Sequence, residues 1–179
     1  MGFGNAIPQF MAGRNHMWRT PSERARWRSL EDAAISFAQN YFNARYVINA
    51  KHHNGRLDPA GTNGFDIVFV KPDGTLVIGE AKSGHSISAI TAFGAGSRGE
   101  AQLALNLTVL RRSVESDASI PESIKRSILQ QIDTRSFEIH LYISPRSSIP
   151  TSRLDVFEER LGRPLDAIYV LPENLTALD

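Results

Sequence analysis

Two strongly apolar runs separated by a short turn constrain this chain more than any other feature. The first run, GFDIVFV, covers residues 64–70, and the second, LVIGEAK, covers residues 76–82. Between them lies KPDG, where Pro72 suits the second position of a β-turn and Gly74 accepts a positive φ. The pattern predicts a β-hairpin. Because both strands are apolar on both faces, we expect the sheet that contains them to be covered on both sides.

Composition sets wider limits on the fold and on the binding partners. The chain has 179 residues, 41% of them hydrophobic and 22% charged, which fits one domain with a packed core. The net charge is +1, so binding to a polyanion would need a local basic patch. Cysteine is absent, which excludes disulfides and thiolate metal sites. No apolar run approaches the about 20 residues that span a bilayer, and residues 1–20 lack the apolar stretch of a conventional signal peptide.

Hydrophobic periodicity divides the chain into further elements. Residues 1–27, with arginines interleaved between Trp18 and Trp27, predict a basic and aromatic N-terminal arm, and residues 28–179 predict a single domain. Apolar positions at i, i+3 and i+4 predict a first helix that Pro21-Ser22 can start. We also predict a strand at 45–50, a loop at 51–63, helices at 99–116 and 121–134, a strand at 137–143, a short helix ending near 162 and a strand at 165–171. This order predicts an α/β fold with a mixed central sheet flanked by helices.

The polar residues of the hairpin form the candidate site. Alternate side chains of a strand share a face, so Glu80 and Lys82 should point the same way. A simple antiparallel register places Asp66 opposite a residue near 80, which brings two carboxylates to one end of the hairpin. Converging carboxylates suit Mg²⁺ or Mn²⁺, and the carbonyl of Ala81 offers a third oxygen. Such an ion polarises a phosphoryl oxygen, and Lys82 would orient a water or stabilise a phosphorane.

A simpler alternative treats the same three charged side chains as an exposed cross-strand cluster without chemistry. Two small neighbours, Gly79 and Ala81, argue against it, because we expect them to leave the backbone around Glu80 accessible.

An Asp and a Glu-x-Lys triplet on a β-hairpin, with amphipathic helices before and after, resemble the PD-(D/E)xK nuclease superfamily. The resemblance covers about residues 28–143 and consists of the motif and the order helix, three strands, helix, strand. It implies a restriction-endonuclease-like core in which Asp66, Glu80 and the Ala81 carbonyl hold the metal, with Lys82 beside it. This chain departs from the motif at Phe65, where the superfamily name has proline and its members vary.

The resemblance also implies two further catalytic residues. Many members place a glutamine on the helix after the motif, and Gln102 fits that position. Some place a glutamate on the first helix. Glu31 borders the apolar stripe there and is a better candidate than Asp32.

Within the superfamily, the Gly/Asn-rich approach to GFD, the EAKSG segment and the glutamine helix look like toxin domains of bacterial polymorphic toxins. By resemblance, such a domain is secreted or translocated into a competitor's cytoplasm without a conventional signal peptide. There it cuts DNA or tRNA and is neutralised by a cognate immunity protein. Two alternatives remain: a cytoplasmic restriction or resolvase-type DNA endonuclease, and an inactive nucleic-acid-binding module of the same fold.

Several basic residues and histidines complete the candidates. Segment 94–99 reads G-x-G-x-x-G but lacks the preceding strand of a dinucleotide-binding fold, so we interpret it as a loop beside the site with Arg98 near a phosphate. Lys125 and Arg126 on the third helix are candidates for a nucleic-acid groove, with a solvated helix face as the alternative. Adjacent His52 and His53 would face apart in a strand and make poor metal co-ligands. We expect the histidines to be solvent-exposed, except a half-buried one at position 140.

Overall fold

A five-stranded mixed sheet forms the centre of the fold in the computed structural model. The structure describes residues 23–61, 63–83, 99–145, 147, 154–155, 158–159 and 161–171. The helices and strands are α1 (Glu23–Asn40), β1 (Tyr46–Val47), β2 (His52–His53), β3 (Arg56–Leu57), β4 (Ile67–Val70), β5 (Leu76–Lys82), α2 (Gly99–Ser116), α3 (Glu122–Thr134), β6 (Glu138–Ile143) and β7 (Ala167–Val170). The described residues between 154 and 161 are helical, as expected for a short helix ending near 162. Most of the predicted arm and the glycine loop, including Arg98, lie outside the described residues.

The strand order in the main sheet is β1-β4-β5-β6-β7. Strands β1, β4 and β5 pair antiparallel, whereas β5, β6 and β7 pair parallel. Helices α2 and α3 fill the connection between the parallel neighbours β5 and β6, as parallel pairing requires a long crossover. The predicted mixed α/β architecture is therefore confirmed. Among the described residues, no helix combines the length and apolarity that crossing a bilayer requires.

The central hairpin follows its turn chemistry. The Lys71 carbonyl accepts a hydrogen bond from the Gly74 N–H at 2.9 Å, and Gly74 has a φ of 90°. Lys71 N–H also donates to the Thr75 carbonyl at 3.0 Å, which starts the ladder. The register pairs Ile67 with Gly79, so the next position along the hairpin sets residue 66 against residue 80. The register predicted from the turn is confirmed.

Alternation along the hairpin creates two apolar layers. One face of the sheet packs against α2 and α3, and its buried residues include Val68, Ile78, Leu110 and Ile128. The other face packs against α1, with a buried cluster that includes Leu30, Phe37, Phe69, Val77 and Tyr142. Because both sides of β4 and β5 are buried, the prediction of a doubly covered sheet is confirmed.

Gly79 contradicts one expectation from the sequence. A Cβ atom at this position would lie 2.6 Å from Cγ2 of Ile67 and 2.7 Å from Cε2 of Tyr142. The space beside Gly79 is therefore filled by neighbouring side chains. The expectation that Gly79 leaves the backbone around Glu80 accessible is wrong on this side of the sheet, because the glycine admits the ring of Tyr142.

The segment predicted as a loop at 51–63 contains a small hairpin. Strands β2 and β3 pair antiparallel around Asn54 and Gly55, whose φ values are 48° and 80°. Two consecutive residues with positive φ are the signature of a type I′ turn, and Asn-Gly is its preferred sequence. The sequence therefore carried a signal for this hairpin. Strand β1 is also shorter than predicted, whereas α1 begins at Glu23, next to its predicted start at Pro21-Ser22.

Candidate active site

The end of the central hairpin brings three charged side chains together. Lys82 and Glu80 lie on the same face of β5, and their Nζ and Oε1 atoms are 2.6 Å apart. Asp66 immediately precedes β4, at the position that the register sets against Glu80. The prediction that the two carboxylates meet at one end of the hairpin, with the lysine one pleat away, is confirmed as a matter of geometry.

The side chain of Asp66 accepts a hydrogen bond from the backbone of β5. Its Oδ2 accepts a hydrogen bond from the Ala81 N–H at 2.8 Å. The N–H and C=O of one strand residue leave the same edge of the strand, so the Ala81 carbonyl is also directed towards the β4 side. The neighbouring Lys82 carbonyl faces β6 and accepts from the Ser144 N–H at 3.3 Å. The predicted third oxygen is therefore turned to the side of Asp66.

Glu31 and a residue that the sequence reasoning missed, Lys51, complete the cluster. The Nζ atom of Lys51 lies 2.7 Å from Oδ1 of Asp66 and 3.6 Å from Oε1 of Glu31. Glu31 thus reaches the site from α1, whereas Asp32 is exposed. Extending the antiparallel β1–β4 pairing, which joins Tyr46 to Val70, brings the chain near residue 51 beside the start of β4. That pairing was the available signal for Lys51.

Glu80 carries the least compensated charge of the cluster. Its side chain is buried, and its Oε2 atom has no hydrogen-bond partner in the described structure. Burial, and next the negative charge of Asp66, raise the pKa of Glu80 to about 8 against the opposing effect of Lys82. Without additional positive charge, this carboxyl group holds a proton near neutral pH.

Burial and neighbouring charges also oppose each other in setting the pKa values of Glu31, Lys51 and Lys82. Burial, and next the charge of Asp66, raise the pKa of Glu31 to about 7 against the effect of Lys51. For Lys51 and Lys82, burial is the largest influence and lowers the pKa, but the surrounding carboxylates outweigh it and leave each pKa raised. Both lysines are therefore fully protonated at neutral pH.

Gln102 belongs to a neighbouring network. Its amide donates to Oδ1 of Asn106 at 3.1 Å, and Nε2 of His52 lies 3.0 Å from the same oxygen. The Gly55 N–H points to Nδ1 of His52 at 3.2 Å, so the ring proton sits on Nε2 and His52 donates to Asn106. This network joins α2 to the β2–β3 hairpin. The expectation that His52 is solvent-exposed is wrong, because its side chain is buried in this network while His53 is exposed, as opposite faces require.

The basic residues of α3 have different surroundings. Lys125 is only 8% exposed, and its ammonium donates to the Glu115 carbonyl at 3.1 Å and pairs with Glu122 at 3.2 Å. It therefore connects the end of α2 to α3. Arg126 is exposed. His140 is buried in β6, more deeply than expected, with Nε2 2.9 Å from Oε2 of Glu138.

The donor set fits one hard divalent cation. No group of three or more His, Cys, Asp or Glu side chains that would hold a metal occurs in the described part of the chain. The expected set instead combines two carboxylates with the Ala81 carbonyl, and water commonly completes such a shell. The free Oε2 of Glu80 and the direction of the Ala81 carbonyl are the two observations that match this set.

Comparison with known protein families, with characterised proteins and with solved structures finds no match to this chain. The assignment of its site therefore depends on the geometry of the site itself.

Proposed function

We propose that this chain is a metal-dependent endonuclease that hydrolyses phosphodiester bonds in DNA or tRNA. The observation that carries the proposal is the buried Oε2 of Glu80, which has no hydrogen-bond partner among the residues that the structure describes. A buried carboxylate oxygen is normally hydrogen-bonded, and an exception at a perturbed cluster is a sign of function. A bound divalent cation would satisfy this oxygen.

Asp66, Glu80 and the Ala81 carbonyl would hold Mg²⁺ or Mn²⁺. When bound, the ion would polarise a phosphoryl oxygen and lower the pKa of a ligated water. Its charge would also favour the ionised form of Glu80, which burial and Asp66 otherwise oppose. The acidic pair and the cation thus offset each other's cost of burial.

Lys82 would act as a hydrogen-bond donor. Although burial lowers its pKa, Glu80 and Asp66 outweigh that effect and leave the pKa raised, so the ammonium group keeps the protons that this role requires. Its ammonium lies 2.6 Å from Oε1 of Glu80. From there it can orient a water molecule or donate to a phosphoryl oxygen as negative charge develops in the transition state.

We propose further that the domain has a restriction-endonuclease-like core. The order of its elements, helix, short strand, hairpin, helix and strand, supports this proposal. So does the placement of the acidic pair at the end of the hairpin. The motif resemblance supports a role as an antibacterial toxin domain, delivered into a target cell and neutralised by an immunity protein.

The first test is direct. The purified chain would be incubated with supercoiled plasmid, linear DNA and total tRNA, with Mg²⁺ and with excess EDTA. We expect cleavage of at least one substrate with Mg²⁺ and none with EDTA. Full activity in EDTA would contradict the proposal, and so would undiminished cutting by Asp66→Asn.

A second test addresses the biological role. Expression in a bacterial host should arrest growth, and co-expression of a neighbouring small open reading frame should restore it. Cleavage in vitro without toxicity would favour the cytoplasmic alternative. Binding of nucleic acid without cleavage would favour the inactive one.

A further inference from the structure

The polar cluster divides into two parts that share Asp66. In one part, Glu80 has a free buried oxygen and its other oxygen faces Lys82. In the other part, the ammonium of Lys51 stands between Asp66 and Glu31. Three carboxylates and two ammonium groups give a formal net charge of −1, so one divalent cation would bring the cluster to +1 and a second would bring it to +3.

The ammonium group of Lys51 lies where a second metal ion would have to bind. A divalent ion bridging Glu31 and Asp66 would lie between their facing oxygens, within about 2.0–2.6 Å of each. The Nζ atom of Lys51 already occupies this space, 2.7 Å from the Asp66 oxygen and 3.6 Å from the Glu31 oxygen. An ammonium group and a metal ion cannot share it.

The backbone holds Lys51 in place. Its N–H donates to Oδ1 of Asn49 at 2.9 Å, and its carbonyl accepts from the Asp58 N–H at 3.0 Å. Gly64, with a φ of 112°, packs so closely that a Cβ there would lie 2.6 Å from the Ala50 carbonyl oxygen and 3.3 Å from the Lys51 Cα. The side chain of Lys51 is only 14% exposed. Lys51 is thus a fixed part of the cluster.

We propose that Lys51 takes the place of a second metal ion, so that this site binds a single divalent cation between Asp66 and Glu80. The inference rests on the proposed function and deepens it by assigning the metal stoichiometry. Lys51 is a positioning residue: it holds Asp66 and Glu31 with a charge that does not depend on the metal concentration. In a two-metal site, an exchangeable second ion would take the place that Lys51 has between these two carboxylates.

The test counts metal ions directly. Mn²⁺ binding would be measured by electron paramagnetic resonance of the free ion during titration of the full chain, for wild type and for Lys51→Met and Lys51→Gln. Lys71→Met serves as the matched control, because Lys71 also pairs with a carboxylate, Glu138, at 2.6 Å. Circular dichroism would verify the fold of each variant. Lys51→Gln keeps a polar side chain should Lys51→Met fail to fold.

We expect about one Mn²⁺ per chain for wild type and Lys71→Met, and about two for the Lys51 variants. The Mg²⁺ dependence of cleavage should be non-cooperative in wild type and cooperative in any Lys51 variant that cuts. Two ions in wild type, or one ion in every Lys51 variant that folds, would overturn the inference and leave the nuclease proposal intact. No bound ion in wild type would overturn both.

Discussion

Two clusters in this protein each place a carboxylate beside a lysine in partly or fully buried surroundings. The pKa of the carboxyl group is raised in one cluster and lowered in the other. The first is the candidate site around Glu80. The second, which we call the histidine cluster, consists of Lys71, Glu138, His140 and Tyr142 and lies on the α1 face of the sheet. Burial and the charge of Asp66 raise the pKa of Glu80 to about 8. The hydrogen bond from His140 instead lowers the pKa of Glu138 to about 2, with Lys71 adding to it and burial opposing it.

Hydrogen bonding explains the difference. In the histidine cluster, Oε2 of Glu138 accepts from Lys71 at 2.6 Å and from Nε2 of His140 at 2.9 Å. Because Nε2 then carries the ring proton, Nδ1 of His140 accepts from the Tyr142 hydroxyl at 3.1 Å. In the candidate site, one Glu80 oxygen has no hydrogen-bond partner within the described part of the chain. A complete network stabilises the fold, and we interpret the incomplete one as a candidate ligand site.

The strongest test of this difference is to neutralise charged side chains in each cluster, one at a time. We expect Asp66→Asn, which removes a proposed metal ligand, and Lys82→Met, which removes a proposed donor to the phosphoryl oxygen, each to reduce cleavage by at least about 10²-fold while the fold survives. Glu138→Gln is the matched control and should cut at a rate close to that of wild type. Cleavage would be measured with the preferred substrate in Mg²⁺. Equal losses at positions 66 and 138 would show that the two clusters do not differ in function.

The pH dependence of stability tests the contrast without a substrate. The folded-state pKa of Glu80 lies above its ordinary value of 4.5. Its contribution to stability is therefore complete below about pH 4.5 and is lost as the pH rises through about 8. In EDTA, we expect the free energy of unfolding to fall by on the order of a few kcal/mol over this range. Urea unfolding at a series of pH values would measure it.

Matched substitutions separate the two clusters in this experiment. Glu80→Gln should reduce the loss of stability at rising pH and leave the part that comes from Glu31, whose pKa is raised to about 7. For Glu138, whose pKa is lowered to about 2, the sign is opposite: its contribution is present above about pH 4.5 and is lost as the pH falls through about 2. Glu138→Gln should therefore lower the stability by a nearly constant amount above about pH 4.5 and flatten the acid limb. A wild-type stability in EDTA that does not decline between pH 5 and 8, a range of about 3 units, would contradict the assignment to Glu80.

Metal binding should sharpen the comparison further. A ligand at about 100 times its Kd stabilises the folded state by about 2.7 kcal/mol. We expect Mg²⁺ to raise the Tm of wild type and of Glu138→Gln, and to leave that of Asp66→Asn nearly unchanged. Differential scanning fluorimetry with a Mg²⁺ titration would measure the shift. An equal rise in all three proteins would mean that the ion acts elsewhere.

The smallest expected effect concerns the two neighbouring basic residues of α3. Arg126→Ala should weaken nucleic-acid binding by less than about 10-fold and reduce the salt slope by about 1, because it removes one exposed charge. Lys125→Met should leave binding unchanged and lower stability by about 1 kcal/mol, since it loses the bond to the Glu115 carbonyl. Fluorescence anisotropy across a salt series and urea unfolding would measure the two effects. The reverse pattern would refute these roles.

Local chemistry explains which parts of this fold the sequence predicts. The turn at 71–74 fixes the register of the central hairpin, and with it the meeting of Asp66 and Glu80. Helix α2 likewise spans the predicted residues 99–116, because its periodicity is a local property. These predictions need only neighbours along the chain.

The missed features depend on contacts between distant segments. Lys51 joins the site because β1 pairs with β4. The sequence predicted a strand at 45–50 but did not predict which strand it pairs with. The burial of Lys125 depends on where the end of α2 meets α3, which the sequence of α3 does not specify. The turn at Asn54 and Gly55 was readable from its residues, but its short flanking strands show no hydrophobic alternation.

The contact between Gly79 and the Tyr142 ring restricts which mutations this protein can tolerate. Any side chain at position 79 would collide with Tyr142 and Ile67, which lie in the buried layer between the sheet and α1. In a saturation library scored separately for cellular abundance and for cleavage, position 79 should lose abundance with every replacement. Position 80, on the opposite face of the same strand, should lose cleavage while many replacements remain abundant. Two adjacent residues would then evolve under different selection, one for folding and the other for chemistry.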